Sequence, residues 1–198
     1  MSDLEEAGAA WDAEAWWTRY RARHPKALGE LVEQLSPRLL RLAWRLTGRR
    51  EAAEDLVQDT FARLLPALER FEGRARIDTY AVRVLSNLWK NRLRRRSRSP
   101  LVAWFRRDGG DEGDDGPWEP AGEEPGPADV LERDERAARI RERVRQLAPD
   151  RRLALLLREV EGMSYEAIAE ITEAPIGTVR SRIARAREEL RRLWKEEA

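Results

Sequence analysis

Residues 163–190 read "MSYEAIAEITEAPIGTVRSRIARAREEL". Ser164 is a good N-cap, and Glu166 in the following turn complements the helix dipole. Ala167 stands where a capping box would need Glu or Gln, so the cap is a single hydroxyl. Ile168, Ala169 and Ile171 share one helical face. The short turn "TEAP" follows, and then a longer helical pattern opens around Pro175 and Gly177. Two helices of this kind, separated by three or four turn residues, spell a helix-turn-helix.

Advancing about 100° per residue along the second helix separates two faces. Val179, Ile183, Ala186 and Leu190 fall together and form the core side. Arg180, Ser181, Ala184, Arg185 and Glu188 lie opposite, with Arg182 and Arg187 on the flanks. Arginines with small residues between them suit a helix in the major groove, where guanidinium groups reach guanine edges or phosphates. The helix N-terminus favours phosphate as well, and Gly177 leaves room for it. Arginines in the first turns oppose the helix dipole, so they need an anionic partner or water. A solvated basic face on an ordinary helix is the competing reading.

Working upstream, Ile140, Val144 and Leu147 keep helical spacing up to the break at Pro149. Leu153, Leu156, Leu157 and Val160 predict the next helix, closed by Gly162. Before these, "RRDGGDEGDDGPWEPAGEEPGPAD" is rich in Gly, Pro and acid and nearly devoid of aliphatic residues. Such a segment buries too little apolar surface to offset its ordering entropy, so residues 106–128 read as a disordered linker.

The N-terminal half is helical again. Ala13, Trp16, Trp17 and Tyr20 predict a short amphipathic helix whose aromatics dock on the following domain. Leu28, Leu31, Leu35, Leu39, Leu42 and Leu46 predict a helix with Gly48 as C-cap, and Pro37 as a kink or a break. Leu56, Val57, Phe61, Leu64, Leu65 and Leu68 predict a second, ending near Gly73. Ile77, Ala81, Leu85 and Leu88 predict a third, running into "NRLRRRSR". The predicted fold is all-α: two small helical domains joined by a flexible acidic linker. The boundaries fall at 1–24 for an N-terminal extension, 25–98, 99–130 for the linker, and 131–198.

Net charge is +1 across 198 residues, but the charge is segregated. Residues 74–98 hold nine basic side chains and one acidic, residues 108–135 hold twelve acidic and one basic, and residues 176–195 hold seven basic and two acidic. Blocks of that kind mark interaction surfaces or tails. There is no cysteine, and His24 is the lone histidine, so disulfides and clusters built on cysteine or histidine are excluded. No apolar run approaches the roughly 18 residues of a membrane span. The first twenty residues lack a signal-peptide core. A cytoplasmic protein with no metal and no cofactor is expected.

The stretch "LAPDRRLALLLREVEGMSYEAIAEITEAPIGTVRSRIARAREELRRL" resembles the fourth conserved domain of the sigma-70-family transcription initiation factors, most specifically in "GTVRSRIARAR". The stretch from "LVEQLSPRLL" to "NRLRRR" resembles the second conserved domain, most specifically in "AEDLVQDTF". The likeness covers residues ~28–96 and ~133–194, with no third domain between. That layout is similar to the extracytoplasmic-function (ECF) group.

The resemblance implies a non-enzymatic factor that binds bacterial RNA polymerase core and directs it to promoters, under the control of an anti-sigma factor. Asp55, Leu56, Val57, Gln58, Asp59 and Phe61 match the stretch that docks on the polymerase clamp. Asp55 and Asp59 are an i,i+4 pair of acids, but no histidine supports a catalytic or metal role for them. The "EGRAR" loop and the helix from Ile77 match the part that melts and captures the −10 element. Arg74, Arg76, Arg83, Lys90, Arg92 and Arg94 supply charge for a single strand, and Tyr80, Asn87 and Trp89 supply polar or stacking contacts. Core packing is the alternative for Tyr80 and Trp89. Thr178, Arg180, Ser181, Arg182, Ala184 and Arg185 match positions that read or grip the −35 element. Tyr80 stands where many relatives carry tryptophan, and Glu173 stands where the turn commonly has glycine. An operator-binding helix-turn-helix regulator is the alternative function, and it leaves the first domain without a role.

Overall fold

The computed structural model describes residues 11–73, 75–98 and 138–195. Every regular element among them is helical. The linker and its acidic residues lie outside the described residues.

Helix α1 (Ala13–Arg21) starts at Asp12, whose Oδ1 accepts from the backbone N–H of Glu14 at 2.9 Å and of Ala15 at 3.1 Å. Trp16 is fully buried and donates its Nε1–H to the Ala27 carbonyl at 2.7 Å, so α1 is pinned to the start of α2 (Ala27–Thr47). Leu31, Leu35, Leu39, Leu42 and Leu46 are buried along one stripe of α2. Leu28, predicted with them, is 45% exposed. Pro37 lies on the exposed face, and the helix continues through it rather than breaking. Gly48 ends it with φ 72°, its N–H bonded to the Trp44 carbonyl at 2.7 Å.

Helix α3 (Arg50–Ala67) ends earlier than the periodicity suggests and gives way to a 3-10 turn (Leu68–Arg70), with residues 71–73 and 75–76 in non-helical backbone before the next helix. Helix α4 (Ile77–Arg98) buries Ile77, Ala81, Leu85 and Leu88, as predicted, and also Val82 and Trp89.

In the second half, residues 138–146 are helical, with Val144 and Leu147 buried and Ile140 exposed. Helix α5 (Pro149–Glu159) takes Pro149 at its first turn, where a missing N–H costs nothing. Five consecutive residues, Leu153 to Leu157, are buried. A run of that kind means that α5 is covered on more than one side. Val160, predicted as core, lies beyond its end and is 43% exposed. Helix α6 (Tyr165–Thr172) is capped by Ser164, which accepts from the Ala167 N–H at 3.1 Å. Helix α7 (Ile176–Lys195) buries Val179, Ile183 and Ala186.

The two halves touch, α2 against α5 and α4 against α6. Two cations cap helices across this contact. Lys90 in α4 donates to the Ile171 carbonyl near the C-terminus of α6 at 3.0 Å. Arg152 in α5 donates to the Leu46 carbonyl at the C-terminus of α2 at 2.7 Å. Both cations complete carbonyls that a helix end leaves open. Burial, with Arg145 nearby, pulls the Arg152 guanidinium down to about 10, which leaves it charged at neutral pH. A third link runs through Arg38 of α2, which pairs with Asp78 at 3.0 Å and with Glu161, just past α5, at 2.6 Å. Burial pulls the Arg38 guanidinium down, but Glu161 and Asp78 more than offset it and its pKa rises.

Candidate nucleic-acid interface

The sequence places its most specific signal on α7. Pro175 accepts from the N–H groups of Thr178 at 2.8 Å and Val179 at 3.1 Å, which opens the helix directly after the turn. The turn itself is held by Glu173 at φ 54°, ψ 44°, a left-handed conformation that glycine adopts most readily. Gly177 is exposed, with nothing within 4 Å of where a β-carbon would stand. Arg180, Ser181, Ala184 and Arg185 are exposed together on the outer face, and Thr178 is half-buried beside them. Arg180 places its guanidinium over the Tyr165 ring at 5.5 Å, so the ring steers the charge while the residue stays exposed. The Ser181 hydroxyl donates to the Thr178 carbonyl at 2.9 Å. Arg182 is held by Asp150 at 2.7 Å and serves the domain. Arg185 makes no ion pair or hydrogen bond among the described residues.

The second candidate surface forms where residues 71–73 meet α4. An open cleft of about 780 Å³ is lined by Arg63, Arg70, Phe71, Tyr80 and Arg83, with Glu69 and Glu72 also on its wall, so its charge is basic by a single excess arginine. Phe71 and Tyr80 lie 5.2 Å apart, ring centre to ring centre. Arginines around two aromatic faces suit a single strand, whose phosphates and bases need both. Tyr80 and Arg83 belong to the predicted set. Arg63, Arg70 and Phe71 do not, because none falls within the matched loop or helix. Phe71, two residues before Gly73, is the one with a readable signal: an aromatic outside any helical stripe beside a turn.

The remaining residues of that predicted set separate. Arg74 lies outside the described residues. Arg76 is exposed and pairs with Asp78 at 3.3 Å. Asn87 is half-buried, and its Oδ1 lacks a hydrogen-bond partner among the described residues. Arg94 is exposed. Trp89 is only 4% exposed and packs in the core, so it offers no face to a base in this conformation. Lys90 is 8% exposed and is used on α6, because the second half covers it. Burial pushes the Lys90 ammonium down, while Glu173, at 3.6 Å, works against this. Arg92 is drawn back to α3, reaching Asp59 at 2.6 Å and the Asp55 carbonyl at 3.0 Å.

On α3, Asp55, Gln58 and Asp59 are exposed along one face, with Phe61 half-buried near them. Leu56 and Val57 are buried and belong to the core of the first half, not to that face.

Residues 31–99 match the family model of sigma-70 region 2, and residues 137–190 match that of sigma-70, region 4. The chain belongs to the sigma-70 family. It is 35% identical over 162 residues to the ECF RNA polymerase sigma factor SigE of Mycolicibacterium smegmatis, covering 82% of this chain and 59% of that one. It is 36% identical over 165 residues to the RNA polymerase sigma-H factor of Pseudomonas aeruginosa, covering 82% and 83%. Among solved structures it is similar to the sigma factor RpoE of Bartonella quintana in complex with the anti-sigma factor NepR, with a TM-score of 0.63, 27% identity, and coverage of 86% and 98%. The fold is shared with CnrH, solved with the cytosolic domain of CnrY, at a TM-score of 0.64 and 21% identity over 94% and 100% of the two chains. The sigma factor is therefore of the ECF group, a promoter-directing transcription initiation factor. Its region 2 comprises α2 to α4 and its region 4 comprises residues 138–146 with α5 to α7. No helix among the described residues is long and apolar enough to cross a membrane.

Proposed function

We propose that this sigma factor docks on RNA polymerase core through Asp55, Gln58, Asp59 and Phe61 of α3. In this reading it captures the −10 strand in the cleft of Phe71, Tyr80 and Arg83, and it grips the −35 duplex with Arg180, Ser181, Ala184 and Arg185 of α7. The observation that carries the reading is the pairing of two unlike basic surfaces. One is an aromatic cleft suited to unpaired bases, and the other is a convex helix suited to a major groove. A free-standing operator-binding regulator would have no use for the first. An anti-sigma partner is part of the proposal, supported by the complex in which the Bartonella quintana relative was solved.

The packed arrangement is the DNA-free one. The two promoter elements are about 25 base pairs apart by name, or about 85 Å at roughly 3.4 Å per base pair. Regions 2 and 4 touch here, with Lys90 Nζ 3.0 Å from the Ile171 carbonyl. They part when both elements are bound.

The test is reconstitution. Core polymerase with this chain is incubated with sheared genomic DNA of the source organism, and the transcript starts are mapped. Discrete promoters with a shared upstream element are expected. Arg185→Ala should then lose transcription from them while still forming the core complex. Absence of both core complex and discrete starts would overturn the proposal.

A further inference from the structure

The region 2 match begins at residue 31, so α1 lies outside it. Yet α1 carries Trp16 and Trp17, and the two do different work. Trp16 is fully buried and anchors α1 to α2. Trp17 is half-buried and turned toward residues 71–73. Its ring stacks on Tyr20 at 5.5 Å and an interplanar angle of 18°, and meets the Phe71 ring edge-on at 5.0 Å and 86°. A β-carbon on Gly73 would stand 2.9 Å from Trp17 Nε1. Gly73 is thus required twice, once by its φ of 72° and once by the indole lying against it. Phe71 is in turn 5.2 Å from Tyr80, and both line the cleft. Trp16, Tyr20, Trp17, Phe71 and Tyr80 therefore form a continuous chain of ring contacts from a buried anchor to the cleft wall. Asp12, at the head of α1, is held below its ordinary range first by the Ala15 and Glu14 N–H groups, and Arg19 and Arg76 add to this.

We propose that α1 is a positioning element for the −10 cleft: Trp17 sets the conformation of residues 71–73 and so fixes the Phe71 and Tyr80 faces. This rests on reading the cleft as the −10 strand site. Trp17 does not line the cleft, so it acts through Phe71 and Gly73 and is a positioning residue.

The experiment uses the full chain bound to polymerase core. The probe is the fluorescein-labelled non-template strand of a promoter recovered by that holoenzyme. Trp17→Ala should weaken strand binding roughly two- to tenfold, the scale of one lost aromatic pair. Trp17→Phe should restore most of it. Gly73→Ala, which attacks the same contact from the loop, should match Trp17→Ala. Core binding and binding to a duplex carrying only the −35 element should not change, which a general folding defect would not spare. Tyr80→Ala and Arg83→Ala separate the two layers. If they weaken strand binding while Trp17→Ala and Gly73→Ala do not, the positioning inference is overturned and the cleft stands. If Tyr80→Ala and Arg83→Ala have no effect, the cleft reading fails and takes this inference with it. A loss of core binding in Trp17→Ala equal to the loss of strand binding also overturns it.

Discussion

Helices α4 and α7 look alike as sequence. Each is long, amphipathic and rich in arginine. The structure uses them in opposite ways. Along α4, Lys90 is spent on the carbonyl end of α6 and Arg92 on α3, so much of its charge is answered within the protein. Along α7, Arg182 is tied to Asp150 and Arg187 to Glu159, but Arg180 and Arg185 stay exposed on the face with Ser181 and Ala184. Basic density alone does not identify a nucleic-acid surface. What identifies it is which cations the fold leaves unanswered, and on α7 they are flanked by small residues. Of the two, α7 leaves more of its outer face open, as the proposed −35 role requires, and α4 leaves open only part of its length.

The largest effect should come from α7. Removing one base contact costs about 1–3 kcal/mol, or roughly 5- to 150-fold in affinity. Arg185→Ala should lower affinity for −35 duplex by that amount, with Arg180→Ala at the lower end because the Tyr165 ring holds part of its side chain. Fluorescence anisotropy with the −35 duplex measures it. Matching losses in core binding would erase the distinction between the two helices.

The next test reverses the logic on α4. Lys90→Met keeps the stem and removes the ammonium that bonds the Ile171 carbonyl. A hydrogen bond to a charged group contributes about 1.5–3 kcal/mol net, and the apolar methyl that replaces the ammonium returns part of that by its own burial. The net shift toward the parted arrangement should be about fivefold, read by energy transfer between dyes on regions 2 and 4. Strand binding by the holoenzyme should stay unchanged. If it falls instead, Lys90 serves DNA once the regions part, and α4 resembles α7 more than this conformation suggests.

How much of this was legible in the sequence follows from the same contrast. Period-3.6 spacing reports which face of a helix is buried, and it marked Leu31 to Leu46 on α2, Ile77 to Leu88 on α4, and Val179 and Ile183 on α7. It overreached at Leu28 and Val160, which sit at or beyond helix ends where a stripe runs past its neighbour, and at Ile140, which the structure leaves exposed. It also placed Leu56 and Val57 in one helical stripe, and both are buried; the family resemblance drew them onto the docking face. Trp89 follows Leu85 by one turn and was open to a core reading. Lys90 was not legible, because its burial comes from α6, more than 70 residues away in sequence. Periodicity within one helix carries no information about a helix from another domain. Phe71, Arg63 and Arg70 were missed for a related reason, since a cleft wall assembled from a helix, a 3-10 turn and a loop has no single period.

The first turn of α4 gives a pH-dependent version of the comparison. Asp78 there pairs with Arg38 and Arg76, while the first turn of α7 holds no acid. Burial pushes the Asp78 carboxyl up, but the Thr79 N–H, Arg76 and Arg38 outweigh this and bring it below its ordinary 3.8. A depressed carboxylate contributes stability above its ordinary value, and that stability is lost as pH falls through the lower folded value. Thermal midpoints measured from about pH 6 to about pH 3 should therefore drop at the acid end, and Asp78→Asn should flatten the drop. An identical acid limb in Asp78→Asn would assign the loss to other carboxylates.

The smallest effect belongs to Glu173, where the turn before α7 and the contact with α4 meet. Its φ of 54° puts a side chain in a conformation that costs an L-residue about 1–2 kcal/mol, from which glycine is exempt. Its carboxylate lies 3.6 Å from Lys90 but is 67% exposed, so the pair contributes at most about 1 kcal/mol. Glu173→Gly therefore sets two small terms against each other. Relief of strain stabilises the turn of region 4, and glycine's greater unfolded-state entropy takes back part of that gain. Loss of the pair loosens the contact with region 2. The expected outcome is a thermal midpoint unchanged or raised by a few degrees, together with a slightly larger parted population in the energy-transfer assay. A lowered midpoint with no change in the parted population would mean that Glu173 works within its own turn and that Lys90 holds α6 through the Ile171 carbonyl alone.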